Sequence, residues 1–260
     1  EYDDTKSNII LSSSKDHCAE CGEVESAALE HGEGYVLTST GSENANGDVT
    51  IIGKDADGAY YGVMTLRQMI QQRTEAGRIA EVTIEDYPEI EFRGYIEGFY
   101  GYPWTHSERM SLMEDTAKYK MNTSIYSTKA EQYHRAAWKE LYPTANAQEV
   151  QELATAVQAK NYNFCWTIHP GATLQFNDTD FQALINKYEQ LYDLGVRQFG
   201  VLFDDTNDWT NGAAQVAFIN RIDDEFVKEK GDVKPLIVVA ARYNSAWGPS
   251  VSYFRPYMAD

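Results

Sequence analysis

The stretch Gly200-Val201-Leu202-Phe203-Asp204-Asp205 decides how this chain is read. Apolar residues run from Phe199 to Phe203 without polar alternation and stop at two adjacent carboxylates. Such a run suits a strand buried on both faces, as in a parallel sheet wrapped by helices. In folds of that kind the chemistry sits at the C-terminal ends of the strands. Two acids sharing a small pocket there have their pKa values pushed apart. One stays a carboxylate while the other holds a proton and can donate it, the logic of an acid-catalysed hydrolase. The segment alone leaves a second reading open, in which one acid caps the following helix and the other is solvated.

Working outward, the same rhythm repeats from Phe92 onward. Strand candidates lie at 93–97, 122–127, 164–168, 198–203 and 236–241, with helix candidates at 108–120, 147–160, 180–194 and 213–230 between them. Thr105 and Glu108 have the spacing of a capping box at the first of these helices. Strands alternating with helices mean βα units and a parallel sheet, and their near-regular spacing favours a TIM-type (β/α)8 barrel. Only five strands and four helices fit into the residues present, so the expectation is the first five strands of a barrel, or else an open sheet. An edge strand after Ala241 would then need a cover.

Residues 1–88 read as a separate small α/β domain, with 89–260 the N-terminal part of the barrel. Strand candidates at 8–11, 35–39, 49–52 and 80–84 flank a helix at 57–72, whose apolar side is expected to carry Tyr61, Met64, Leu66, Met69 and Ile70. The polar, proline-bearing Glu85–Glu89 segment marks the boundary. No catalytic constellation is visible in this first part, and His31 reads as a surface residue.

Composition narrows the function classes. The 260 residues carry a formal net charge of -18 and offer no basic stripe, which argues against a nucleic-acid partner. No apolar stretch is long enough to span a membrane. The acidic start Glu1-Tyr2-Asp3-Asp4 resembles neither a signal peptide nor an initiator terminus, so the chain reads as processed or trimmed. Cys18 and Cys21 form a C-x-x-C that lacks a second pair, so a local disulfide or two free thiols fit better than zinc, even with His17 alongside. Cys165, in an apolar run, reads as a small core residue.

The strand ends supply the other candidates. The first gives Glu97-Gly98-Phe99-Tyr100-Gly101-Tyr102-Pro103-Trp104, with glycines that admit a ligand to the backbone and aromatics that could stack on a sugar, or simply pack under the rim. The second leads to Lys129 and then Tyr133-His134-Arg135. The third gives His169-Pro170-Gly171, where His169 is a site residue or a turn residue. The fifth leads to Arg242-Tyr243-Asn244.

Together these motifs resemble a family. The run from Arg93 to His106, then Asn122-Thr123 with Tyr126, Lys129 and Tyr133-His134-Arg135, then Pro170-Gly171 and Phe203-Asp204-Asp205, is similar in order and content to family 84 glycoside hydrolases. These are retaining β-N-acetylglucosaminidases that include the O-GlcNAcases and bacterial members often labelled hyaluronidases. The resemblance implies substrate-assisted catalysis, an exception to the two-carboxylate scheme. The substrate's acetamido oxygen attacks the anomeric carbon and forms an oxazoline, Asp204 accepts the acetamido N–H, and Asp205 serves as acid and then base. By position, the Gly98 carbonyl and Lys129 would bind sugar hydroxyls and Tyr243 would line the acetamido pocket. No metal or cofactor is implied. The partner is a GlcNAc-bearing glycoprotein or glycan, with a second chain completing the barrel as an option, and the expected location is extracellular.

The chain also departs from the family. Ala130-Glu131-Gln132 stands where Asp-Asp-Pro is frequent, and His169 where Ser is frequent. The later strands that supply further sugar-gripping residues are missing from these 260 residues. Two rival readings therefore remain: a GlcNAc-binding module without turnover, and an open-sheet enzyme holding a metal on the Asp pair.

Overall fold

The computed structural model describes residues 7–14, 24–40, 47–72, 79–158, 162–204, 211–244, 246 and 251–258. The chain divides into two compact units, Glu1–Arg93 with Lys118–Lys120, and Gly94–Ala117 with Met121–Asp260.

The first unit is a four-stranded mixed sheet with one long helix. Its strands are β1 (Ile9–Ser12), β2 (Tyr35–Ser39), β3 (Val49–Gly53) and β4 (Val82–Asp86), in the order β1-β3-β2-β4. β1 lies parallel to β3, and β2 pairs antiparallel with β3 and β4. Helix α1 (Ala56–Gln72) follows β3, and Tyr61 and Leu66 join Tyr35, Leu37, Val49 and Ile51 in one apolar cluster. The buried side of α1 differs from the sequence expectation: it comprises Gly58, Ala59, Tyr61, Gly62 and Leu66, while Met64 is half-buried and Ile70 is exposed. The reason is close approach. A Cβ on Gly62 would come within 2.4 Å of Ile51 Cγ2, so glycine lets the helix approach the sheet while Tyr61 and Leu66 fill the core on either side and Ile70 is left outside it. His31 is exposed, as expected, and stacks on Tyr87 at 3.9 Å between ring centroids.

The second unit is a curled sheet of five parallel strands with helices between them, a partial (β/α) barrel. Its strands are β5 (Gly94–Glu97), β6 (Thr123–Tyr126), β7 (Asn163–Ile168), β8 (Gln198–Leu202) and β9 (Ile237–Val239), and they are neighbours in sequence order. The connecting helices are α2 (His106–Ala117), α3 (Thr144–Gln158), α4 (Asp178–Asp193) and α5 (Gly212–Ile222). Every residue of β7 and β8 is buried, the polar Asn163, Thr167 and Gln198 included, as expected of strands covered on both faces. At Gly200 the strands leave no room for a side chain, because a Cβ there would lie 2.6 Å from Ile237 O and 2.9 Å from Thr167 Cγ2.

Local chemistry sets the helix starts. Thr105 and Glu108 form the expected capping box: the Thr105 N–H donates to Glu108 Oε2 at 2.7 Å, and the Glu108 N–H donates to Thr105 Oγ1 at 3.3 Å. Asn177 caps α4 through the Asp180 N–H, and Asn211 caps α5 through the Ala214 N–H. The helix expected over 213–230 passes from α5 into a π-helical turn, Asp223–Val227, before a last α turn, Lys228–Lys230. The wider turn resets the helical phase and lets both Phe226 and Val227 face the core.

The core of this unit is an aromatic chain. Tyr133 meets Tyr142, Tyr142 meets Trp166, Trp166 meets Tyr188, and Tyr188 meets both Phe199 and Phe226, with centroid separations of 4.6 to 6.2 Å. Cys165 is buried in β7, the small core residue expected. Cys18, Cys21 and His17 lie outside the described residues.

Candidate active site

Asp204 stands just past β8, where the strand ladder continues through a bond from the Phe203 N–H to Val239 O at 2.9 Å. Its carboxylate is held by the residue that ends the second βα turn: Lys129 Nζ donates to Asp204 Oδ2 at 2.7 Å. The lysine is itself almost enclosed, with 6% of its side chain exposed against 21% for Asp204. His169, fully buried at the end of β7, brings Nε2 to 3.5 Å from the same oxygen, long for a well-formed hydrogen bond. Asp204 Oδ1 is buried and has no partner among the described residues. Burial works against the charge on Asp204, but the contacts with His169 and Lys129 outweigh it and hold the carboxyl well below the usual carboxylate range. Asp204 is therefore an anion at neutral pH. Asp205 lies outside the described residues.

The loop after β6 is built around Glu131. Its Oε1 accepts the Tyr133 N–H at 2.8 Å, and its Oε2 accepts the His134 N–H at 2.6 Å and the Tyr142 hydroxyl at 2.9 Å. The residue that departs from the family's frequent Asp-Asp-Pro thus ties the loop carrying Lys129. Beneath it, the fully buried Lys187 of α4 donates from Nζ to Tyr133 O at 2.5 Å and lies over the Tyr133 and Tyr142 rings. Burial lowers the Lys187 pKa to about 8. His134 is also fully buried, and its Nδ1 meets Thr167 O at 2.7 Å, so Nδ1 carries the proton. Burial pushes its pKa down to about 3, which keeps the ring neutral.

At the end of β5, Glu97 is buried against Arg109. Arg109 Nε donates to Oε2 at 2.7 Å and Nη2 to Oε1 at 2.9 Å, while the Trp104 N–H reaches Oε1 at 3.0 Å. This fastens the aromatic loop that starts with Gly98. In that loop Trp104 packs on Tyr95 and Phe99, whereas Tyr102 points into solvent. A polar cavity of about 340 Å³ opens between α2 and α3, bordered by Trp104, Arg109, Tyr126, Glu131 and Glu149, apart from Asp204.

The residues singled out from sequence fall into two groups. Asp204 and Lys129 meet directly, across 75 positions of chain. Gly98 and the exposed Tyr243 follow β5 and β9, the two edges of the sheet. His169 proves to be a buried neighbour of Asp204 rather than a turn residue. Glu97, Arg109, Glu131 and Lys187 escaped the sequence reading as parts of the site's frame; the i, i+12 spacing of Glu97 and Arg109 gives no local signal. Among the described residues no group of three or more His, Cys, Asp or Glu side chains could hold a metal ion.

Residues 93–260, more than half of the chain, match the family model described as beta-N-acetylglucosaminidase. The chain belongs to the β-N-acetylglucosaminidase family. Residues 3–87 match the model described as glycosyl hydrolase family 20, domain 2, so each unit matches a family model of its own. As a family 84 glycoside hydrolase relative, the chain is 34% identical to the Protein O-GlcNAcase of Rattus norvegicus over 113 residues, 43% of this chain and 12% of that protein. The solved structure of CpGH84B superposes with a TM-score of 0.80 at 36% identity, covering 90% of this chain and 42% of the other. CpGH84D gives 0.82 at 31% identity, covering 99% and 44%. The chain therefore spans less than half the length of these β-N-acetylglucosaminidase-family structures.

Proposed function

We propose that this chain carries the aspartate pair of a retaining exo-β-N-acetylglucosaminidase, acting on terminal β-linked GlcNAc of glycoproteins or glycans. Asp204 carries the reading. Its Oδ2 is engaged by Lys129, its Oδ1 is buried without a partner among the described residues, and its pKa is held low. An anionic acceptor with one oxygen pinned and the other open is what a substrate acetamido N–H requires in substrate-assisted catalysis. As the acetamido oxygen bonds to the anomeric carbon, the N–H turns acidic, and the Asp204 carboxylate stabilises the growing positive charge. The departing glycosidic oxygen takes a proton from Asp205. Asp205 then removes a proton from water, which opens the oxazoline with net retention. Lys129 keeps two further ammonium hydrogens for sugar hydroxyls. The similarity to O-GlcNAcase and to the CpGH84B and CpGH84D structures supports the substrate class.

The test is hydrolysis of a fluorogenic aryl β-N-acetylglucosaminide by the full chain. Asp205→Asn is expected to abolish turnover of a poor leaving group while sparing an activated one, since an activated leaving group needs little protonation. Asp204→Asn is expected to lower kcat for both by about 100-fold or more. Folded chain that binds the sugar without hydrolysing it would instead establish the binding-module reading.

A further inference from the structure

The neighbourhood of Asp204 is unusual for the number of buried polar atoms that the fold leaves unpartnered. Both ring nitrogens of His169, Nε2 of His134, Asp204 Oδ1, Ser127 Oγ and Thr128 Oγ1 have no hydrogen-bond partner among the described residues. Buried polar groups are satisfied in the great majority of cases, and exceptions call for an explanation such as a functional role or an ordered water. Around His169 the explanation is directional. Its backbone is fixed by the His169 N–H bond to His134 O at 3.0 Å. The His134 ring, 6.2 Å away between centroids, spends its proton on Thr167 O. Nε2 of His169 is left facing Asp204 Oδ2, the atom already held by Lys129.

We propose that His169 is a positioning residue for Asp204: its Nε2–H acts with Lys129 to fix Oδ2, so that Oδ1 is held toward the substrate's acetamido N–H. This deepens the functional reading above and rests on it for the identity of the ligand. Lys129 reaches the oxygen from the loop after β6 and His169 from the end of β7. Two donors from separate elements stop the carboxylate from swinging about its Cβ–Cγ bond, which either donor alone would permit. The 3.5 Å separation suits an interaction that tightens when the site is filled. Among the described residues, the charged and titratable groups facing Asp204 are Lys129, His169 and, one ring further back, His134, with Asp205 next in the sequence.

The experiment uses the full chain with ¹³C-labelled aspartate carboxyls, the Asp204 signal being assigned by its loss in Asp204→Asn. His169→Gln keeps an N–H donor near the Nε2 position, whereas His169→Asn does not reach it. His169→Asn is expected to raise the Asp204 carboxyl pKa by about one unit, and His169→Gln to restore most of that change. With an aryl β-N-acetylglucosaminide, His169→Asn is expected to lower kcat about tenfold at nearly constant KM and to move the acid limb of kcat to higher pH. If His169→Asn does not fold, His169→Ala with added imidazole supplies the same comparison, imidazole lowering the carboxyl pKa again. Unchanged titration, or equal effects of Asn and Gln, would overturn the proposal. The carboxyl titration needs no turnover, so the expected shift in a chain without activity would leave the positioning role standing and refute the hydrolase reading instead.

Discussion

Replacing Glu97 is the sharpest test of what holds the rim of the sheet together. Glu97 is 2% exposed and its carboxylate answers three donors: Arg109 twice and the Trp104 N–H. Removing one partner of a buried ion pair costs about 3–5 kcal/mol, because the other charge is stranded. Here Arg109 keeps some relief, since its guanidinium lies 4.8 Å over the Tyr126 ring and 11% of its side chain reaches solvent. Glu97→Ala, which also orphans the Trp104 N–H, is expected to cost about 4 kcal/mol. Glu97→Gln keeps an acceptor for that N–H and is expected to cost about 2 kcal/mol. The five tryptophans all fall after residue 94, so their fluorescence in urea follows the second unit alone. With a slope of about 2 kcal/mol/M, the Ala variant should unfold about 2 M earlier and the Gln variant about 1 M earlier. Adding Arg109→Met to Glu97→Gln removes the stranded charge and should recover at least about 1 kcal/mol. A cost below about 1 kcal/mol for Glu97→Ala, or strict additivity with Arg109→Met, would show that the pair is held by solvent and that this account of the rim is wrong.

Three further outcomes follow from the same loops. Glu131→Ala strands the Tyr133 and His134 N–H groups and the Tyr142 hydroxyl, so amide exchange at 133 and 134 should accelerate and stability fall by about 2–3 kcal/mol. His134, neutral in the fold with a pKa near 3 against 6.5 unfolded, makes the unfolded chain the stronger proton binder below pH 6.5. Stability should therefore fall as pH drops from 6.5 toward 3, by up to about 1.4 kcal/mol per unit, and His134→Asn should flatten that slope in urea midpoints. Lys187, lowered to about 8, binds fewer protons folded than unfolded between pH 8 and 10.5, so stability should rise with pH across that window, and the rise should be absent in Lys187→Met.

The arrangement of the second unit was legible because strands covered on both faces are written as largely apolar runs, and Phe164–Trp166 and Phe199–Phe203 are such runs. The capping box at Thr105 was legible because its two halves are three residues apart. Lys129 and Asp204 were named separately, but nothing local to either announces their meeting. Lys187 looks in sequence like any solvated lysine of an amphipathic helix; only the fold reveals that its ammonium is enclosed by Tyr133, Tyr142 and a carbonyl. The strand order β1-β3-β2-β4 and the glycine-lined face of α1 were likewise hidden, since short strands of similar composition do not specify their neighbours.

The aromatic chain from Tyr133 through Trp166 to Phe226 ties the loop after β6 to β7, to α4 and to the π-helical turn after α5. Rigidity thereby reaches the loop that carries Lys129. The rim is therefore not freely exchangeable: Glu131 anchors the turn after Lys129 and Glu97 holds the Trp104 N–H, which leaves the exposed Gly101-Tyr102 tip as the freer part of the aromatic loop. Edits to Trp166 or Tyr188 bear on β8, the strand that leads to Asp204, because Trp166 packs on Tyr188 and the Tyr188 hydroxyl donates to Gly200 O at 2.9 Å. For anyone reshaping this molecule, the permissive positions are the exposed loop tips and not the residues that anchor them.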